Sequence, residues 1–193
     1  MDSKTLLVLS DTHGSVHTLE AVLKWAKSVQ GGGTVGTAVF LGDGIRDISR
    51  VAAATGFSRE WKLIRGNNDD VFSVPEAAVL DFCGHRFFLC HGHRHSLYGG
   101  YHSLIAAARN MEADTVLFGH THVPYCGNID GIRLINPGSI GNPRSKAGAT
   151  FALIDCAEGE PADQGSAPGK PFETRFWRIG PEGKIFSYAT LSL

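Results

Sequence analysis

Long apolar runs are missing from this chain. The longest stretches without Asp, Glu, Lys or Arg, residues 28–42 and 115–129, are 15 residues each, and the first is Gly-rich. A spanning helix needs roughly 18 or more, so membrane insertion by a helix is excluded. Excess charge is missing too: 18 Lys and Arg stand against 19 Asp and Glu, a formal net charge of −1. No whole-chain field attracts nucleic acid or anionic lipid, and any anionic ligand must be held by a local site. Cysteine is scarce and scattered, as Cys83, Cys90, Cys126 and Cys156 without a C-x-x-C pair. That spacing argues against a zinc knuckle or redox dithiol and leads us to expect four buried, reduced thiols. The opening Met1-Asp2-Ser3-Lys4-Thr5 shows no basic leader before a long apolar segment, the pattern expected of a cytoplasmic protein.

Glycine is plentiful, 24 of 193 residues or about 12%, against a usual ~7%. The glycines have no collagen period and cluster after short apolar runs, which implies many strand-to-loop junctions. Those runs, Thr5–Leu9, Thr37–Leu41, Trp61–Ile64, Arg86–Cys90 and Thr115–Phe118, read as buried strands. Val16, Leu19, Val22, Leu23 and Ala26 form a helical stripe closed by Gly31-Gly32-Gly33. Further helices are expected over Asp47–Ala54 and His102–Glu112. Later runs, Tyr125–Ile129, Ile132–Asn136, Thr150–Asp155, Phe172–Ile179 and Lys184–Thr190, read as strands without helices between them. At this length one domain, residues 1–193, is the default. Its expected architecture is α/β (α+β), a mixed sheet or two stacked sheets with helices outside and a mobile surface loop over Ala157–Pro171.

Metal-ligand residue types sit where the apolar runs end. Asp11 and His13 follow the first, Asp43 the second, Asn67 the third, His91 and His93 the fourth, His120 and His122 the fifth. Open α/β sheets place ligands at the carboxyl ends of their strands. The set of carboxylate, imidazole and amide suits divalent Mn, Fe, Co, Ni or Zn. In extended chain, Asp11 with His13 and His120 with His122 would each face one side, because strand side chains alternate.

Asp11-Thr12-His13-Gly14, Gly42-Asp43, Gly66-Asn67-Asn68-Asp69, His91-Gly92-His93 and Gly119-His120-Thr121-His122 occur in the order of the calcineurin-like metallophosphoesterases, which the chain resembles across residues 5 to about 155. Asn136-Pro137-Gly138-Ser139 adds a resemblance to the small YfcE-like phosphodiesterases of that superfamily. The resemblance implies a two-layer mixed β-sandwich flanked by helices, carrying a dinuclear site. It implies that Asp11, His13 and His122 hold one metal ion, that Asp43 bridges, and that Asn67, His91 and His120 hold the second. Asp43 and Asn67 are thereby catalytic, and a hydroxide bridging two divalent ions, Mn foremost, would attack phosphorus in line. The implied substrate is a small phosphodiester or other phosphate ester; a homo-oligomer is compatible with the sequence, and no nucleic-acid signal stands out.

One position departs from the wider superfamily. Many members carry His where Asn68 stands, and asparagine cannot act as a general acid; YfcE-like members share this lack. Asn68 is then a substrate contact only, and His93 is the remaining proton donor or phosphate contact. Arg46, Arg65 and Arg94 are further phosphate contacts to weigh against surface roles, and Asp69 is expected to orient a ligand or nearby backbone. The alternative reading is a non-catalytic scaffold resembling vacuolar sorting protein 29, a branch whose ligand pattern is eroded. All seven ligand positions here carry competent residue types.

Overall fold

The computed structural model describes residues 5–28, 35–156 and 171–192. Its elements are β1 (Thr5–Leu9), α1 (Val16–Lys27), β2 (Val35–Phe40), α2 (Ile45–Thr55), β3 (Glu60–Leu63), β4 (Ala77–Phe82), β5 (His85–Cys90), α3 (His102–Asn110), β6 (Thr115–Leu117), β7 (Pro124–Ile129), β8 (Ile132–Pro137), β9 (Ala149–Cys156), β10 (Phe172–Ile179) and β11 (Ile185–Ser192). The strands make two sheets, ordered β11-β10-β9-β1-β2-β3 and β4-β5-β6-β8-β7. β1, β2 and β3 run parallel, as do β5, β6 and β8; the other pairings are antiparallel. Among the described residues, no helix is long and apolar enough to cross a membrane.

Strand alternation explains the layering. Leu6 and Val8 of β1 point between the sheets, where they meet Phe87, Leu89, Leu117 and Ile135 of the second sheet. Leu7 and Leu9 point the other way, onto Leu19, Val22 and Leu23 of α1 and Ile45, Ile48 and Val51 of α2. On the far side, Val116 and Leu134 pack against Leu104, Ile105 and Ala108 of α3. The order is thus helices, sheet, sheet, helix. A strand buried on both faces must be apolar throughout, and β1 is buried at all five positions. This is the two-layer mixed sandwich flanked by helices that the resemblance implies.

Two local expectations fail for physical reasons, and one strand was not expected. β4, a partly exposed edge strand, was not expected; it pairs with β5 across a two-residue turn in which Cys83 (φ 57°) and Gly84 (φ 78°) both have positive φ. α2 begins at Ile45, two residues before the sequence predicts, because its first N–H groups are capped by Asp69, a residue remote in sequence. The four cysteines are not all thiols. Cys83 at the β4–β5 turn and Cys156 at the end of β9 form a disulfide between the two sheets, while Cys90 and Cys126 are free. A separation of 73 residues left no local trace of that pair. The expected helix stop at Gly31-Gly32-Gly33, and all but the last residue of the expected loop Ala157–Pro171, lie outside the described residues.

Candidate metal centre

Five loops at the carboxyl ends of β1, β2, β3, β5 and β6 converge at one end of the sandwich, zipped by main-chain hydrogen bonds. Asp11 N–H donates to Gly42 O (2.9 Å), His13 N–H to Asp43 O (3.1 Å) and Gly119 N–H to His91 O (2.9 Å). Asp11, His13, Asp43, His120 and His122 all have positive φ, between 43° and 66°. Left-handed backbone costs a non-glycine residue roughly 1–2 kcal/mol, so the packing around these loops must enforce it. Asp11 with His13 and His120 with His122 therefore converge through turns. The extended alternation expected from their spacing is not what aims them.

Asp11 and Asp43 lie at the centre. Asp11 Oδ1 is 3.1 Å from His122 Nε2, 3.7 Å from His13 Nε2 and 4.0 Å from His91 Nε2; Asp43 Oδ2 is 3.6 Å from His13 Nε2 and 3.4 Å from His91 Nε2. Two overlapping groups result, Asp11 with His13 and His122, and Asp11 with Asp43 and His91. Main-chain carbonyls set the histidine tautomers. His91 Nδ1 donates to Leu41 O and His122 Nδ1 to Asn142 O, both at 2.6 Å, which turns each Nε2 lone pair into the cluster. Ser10 Oγ (2.5 Å) and His120 N–H (3.1 Å) occupy Asp11 Oδ2, leaving Oδ1 free. Asp11 Oδ1 and His91 Nε2 are buried without a hydrogen-bond partner among the described residues. An orphaned buried polar atom costs about 1–3 kcal/mol, and a divalent cation among these lone pairs removes that cost. The residues fit a metal site.

The protonation states agree. Burial pushes the Asp11 carboxyl up, but His122, His13, His91 and Ser10 together hold it far below the usual carboxylate range. Asp43 is likewise pushed up by burial, yet His91 and the two hydrogen bonds from Asn68 bring it down to about 2. The Asp11 carboxylate 3.7 Å away raises His13. His91 is also raised: burial disfavours its cation, and the Asp43 and Asp11 carboxylates outweigh that.

The remaining residues singled out by the sequence fall around this core. The His120 ring is 5.2 Å from that of His91. His93 is 5.5 Å from His91 and 6.3 Å from His120, its Nδ1 buried without a partner among the described residues. Asn68 donates to both Asp43 oxygens, from its main-chain N–H (2.8 Å) and its amide (2.6 Å). Asn67 is exposed. Asp69 receives the N–H groups of Asp43, Gly44, Ile45 and Gly66 at 2.7–2.9 Å. Arg46 is paired with Asp70, and Arg65 and Arg94 with Glu76.

Several residues that position the cluster were given no such role by the sequence. Asp47 of α2 accepts from Thr12 Oγ1 (2.6 Å) and Gly14 N–H (2.9 Å), bracing the turn that carries Asp11 and His13. Buried Asn136 donates to Gly119 O (2.8 Å), and Ser139 Oγ to Asp11 O (2.8 Å). The signal was Asn136-Pro137-Gly138-Ser139 itself, two buried polar side chains beside an apolar run. Gly66 and Gly119 answer a steric need: a Cβ would overlap Asp43 Oδ1 at the first and Ser10 Oγ at the second.

Residues 5–159 match the calcineurin-like phosphoesterase superfamily domain. A probable metallophosphoesterase of Mycoplasma pneumoniae is 31% identical over 162 residues, covering 82% of this chain and 93% of that protein. Phosphodiesterase YfcE of Escherichia coli K12 is 29% identical over 171 residues, covering 78% of this chain and 86% of that protein. In fold, the chain is similar to wild-type Vps29 of Entamoeba histolytica crystallised with Zn²⁺, with a TM-score of 0.70, 17% identity, and 97% and 98% of the two chains covered. The five converging loops sit within the matched span, and the chain belongs to the calcineurin-like phosphoesterase superfamily.

Proposed function

We propose that the protein is a metal-dependent phosphodiesterase working with two divalent transition-metal ions, Mn foremost. The observation that carries this reading is a pair of overlapping groups that share Asp11, with Asp43 Oδ2 of the second group 3.4 Å from its own His91 and 3.6 Å from His13 of the first. Asp11, His13 and His122 would hold one ion and Asn67, His91 and His120 the other, with Asp43 between them. Bound there, the cations would polarise a phosphoryl oxygen and activate water for in-line attack on phosphorus. Asn68 donates its main-chain N–H and its amide NH2 to Asp43, and Asn67 would offer an amide oxygen. A cleft of about 230 Å³ lined by His13, Asp43, Arg46, Asn68, Asp69 and Asp70 opens beside the cluster and has room for one ester arm. His93 is the imidazole left to donate a proton or contact the phosphate. The scaffold alternative rests on fold likeness to Vps29 alone, and turnover of any aryl phosphodiester excludes it.

The test is the dependence of rate on leaving-group pKa in a diester series that runs from nitrophenyl to alkyl esters. With asparagine at 68, the slope should be steep. A general acid typically contributes about 10²- to 10⁴-fold, mostly to poor leaving groups, so Asn68→His should flatten the slope. A flat slope that steepens in His93→Ala identifies His93 as the acid. Failure to hydrolyse even bis(4-nitrophenyl) phosphate with Mn²⁺ present would refute the reading.

A further inference from the structure

Tyr98 is 74% exposed, yet it is held in place. It lies in the 3₁₀ turn Leu97–Gly99, whose Leu97 is buried in the core beneath and turns Tyr98 outward. Its hydroxyl accepts a hydrogen bond from Arg144 Nη1 at 2.9 Å, and its ring stands 6.1 Å from the His120 ring, inclined at 60°. Arg144 is itself anchored, its main-chain N–H donating to His122 O at 3.1 Å. Both residues are thus tied to the last ligand motif. Arg144 also differs from the other arginines near the cluster. Arg46, Arg65 and Arg94 are neutralised by Asp70 and Glu76, whereas Arg144 has no carboxylate partner among the described residues.

An exposed ring fixed by a guanidinium, next to one half of a phosphate-binding cluster, is a stacking platform with a cation at its edge. We propose that Tyr98 and Arg144 form a recognition rim for a planar aromatic group carried on the phosphate ester, an inference that rests on the phosphoesterase reading above. An ester arm leaving the cluster on the His120 side meets the Tyr98 ring first. Arg144 positions that ring through its hydroxyl and offers its other N–H groups to an acceptor on the arm, since a guanidinium carries five. The cleft that includes Arg46 and Asp70 has no tyrosine, phenylalanine or tryptophan in its lining. The two sides therefore differ chemically, and the aromatic arm belongs on the Tyr98 side.

A monoester is what diester hydrolysis leaves, so binding of monoesters reads the rim without turnover. The experiment is calorimetric titration of the full chain loaded with Mn²⁺, using methyl phosphate, phenyl phosphate and adenosine 5′-monophosphate. At least one aromatic ester should bind roughly tenfold tighter than methyl phosphate, the effect expected of one ring stacked on an aromatic side chain. That ratio should fall to within about twofold in Tyr98→Ala and survive in Tyr98→Phe, which keeps the ring. It should fall partway in Arg144→Ala. Preference for the nucleotide over phenyl phosphate identifies a nucleobase one sugar removed from phosphorus; the reverse order identifies an aryl ester. Equal affinity for all three ligands, or a preference unchanged in Tyr98→Ala, overturns the rim and leaves the phosphoesterase reading standing. No binding by any of them to metal-loaded protein removes both.

Discussion

Among the described residues, half of the ten non-glycine residues with positive φ are proposed metal ligands, a concentration that packing elsewhere must sustain. Asp43 is the most informative. Asp43→Asn removes a charge that lies within 3.6 Å of a histidine from each group and should cut kcat by several orders of magnitude, with loss of metal measured in the same sample. Asp155 is the contrast, since it accepts from Thr5 Oγ1 and Arg175 Nε, each at 2.7 Å, away from the cluster. Asp155→Asn should cost about 1 kcal/mol of stability and leave turnover within about twofold; equal losses from the two changes would refute the assignment. The histidines give a pH prediction. Without metal, His13 and His91 hold protons above the ordinary imidazole value of 6.5, because the carboxylates favour their cations. A metal ion must displace those protons, so Mn²⁺ affinity should rise with pH through and above that value. Titrations at pH 6, 7 and 8 check the sign. At this scale the sequence was highly legible, because carboxylates and imidazoles after apolar runs are rare enough to notice. The carbonyls of Leu41 and Asn142, which orient His91 and His122, were not, since every residue has a carbonyl.

The turns between elements explain why that legibility declines. Asp69, in the loop after β3, caps α2 and holds Asp43, but the sequence around residue 45 contains no sign of a cap that arrives from residue 69. The start of α2 was therefore misjudged, and β4, a partly exposed edge strand, was not expected at all. The convergence of Asp11 with His13, and of His120 with His122, was expected for the wrong reason: the spacing suggested alternation, and left-handed turns do the aiming instead. Asp69→Ala orphans four N–H groups while touching no proposed ligand side chain. It should lower stability by roughly 2 kcal/mol and weaken metal affinity about 10- to 100-fold through displaced Asp43. Thermal denaturation alongside metal titration separates these effects; a stability loss with unchanged metal affinity would show that Asp69 serves only the helix.

Across the whole molecule, two sheets that the sequence showed only as separate runs are joined by the Cys83–Cys156 disulfide. Chain-entropy arguments give a closure of 73 residues about 4 kcal/mol, and for a protein of this size that is roughly 10 °C in Tm. Cys83→Ser should therefore melt about 10 °C lower and keep its metal. Disulfides persist mainly in oxidising compartments, so the bond runs against the expectation of a cytoplasmic protein; alkylation of thiols in acid-quenched cells decides which holds. The layered architecture itself was readable from apolar runs alternating with one helical stripe, but the pairing of β9 with β1 and the linkage between sheets depend on long-range contacts that no local pattern encodes. The account as a whole stands on one count. Metal analysis of protein equilibrated with Mn²⁺ and freed of excess should find close to two ions per chain, with turnover abolished by chelation and restored by Mn²⁺; finding none bound would contradict it outright.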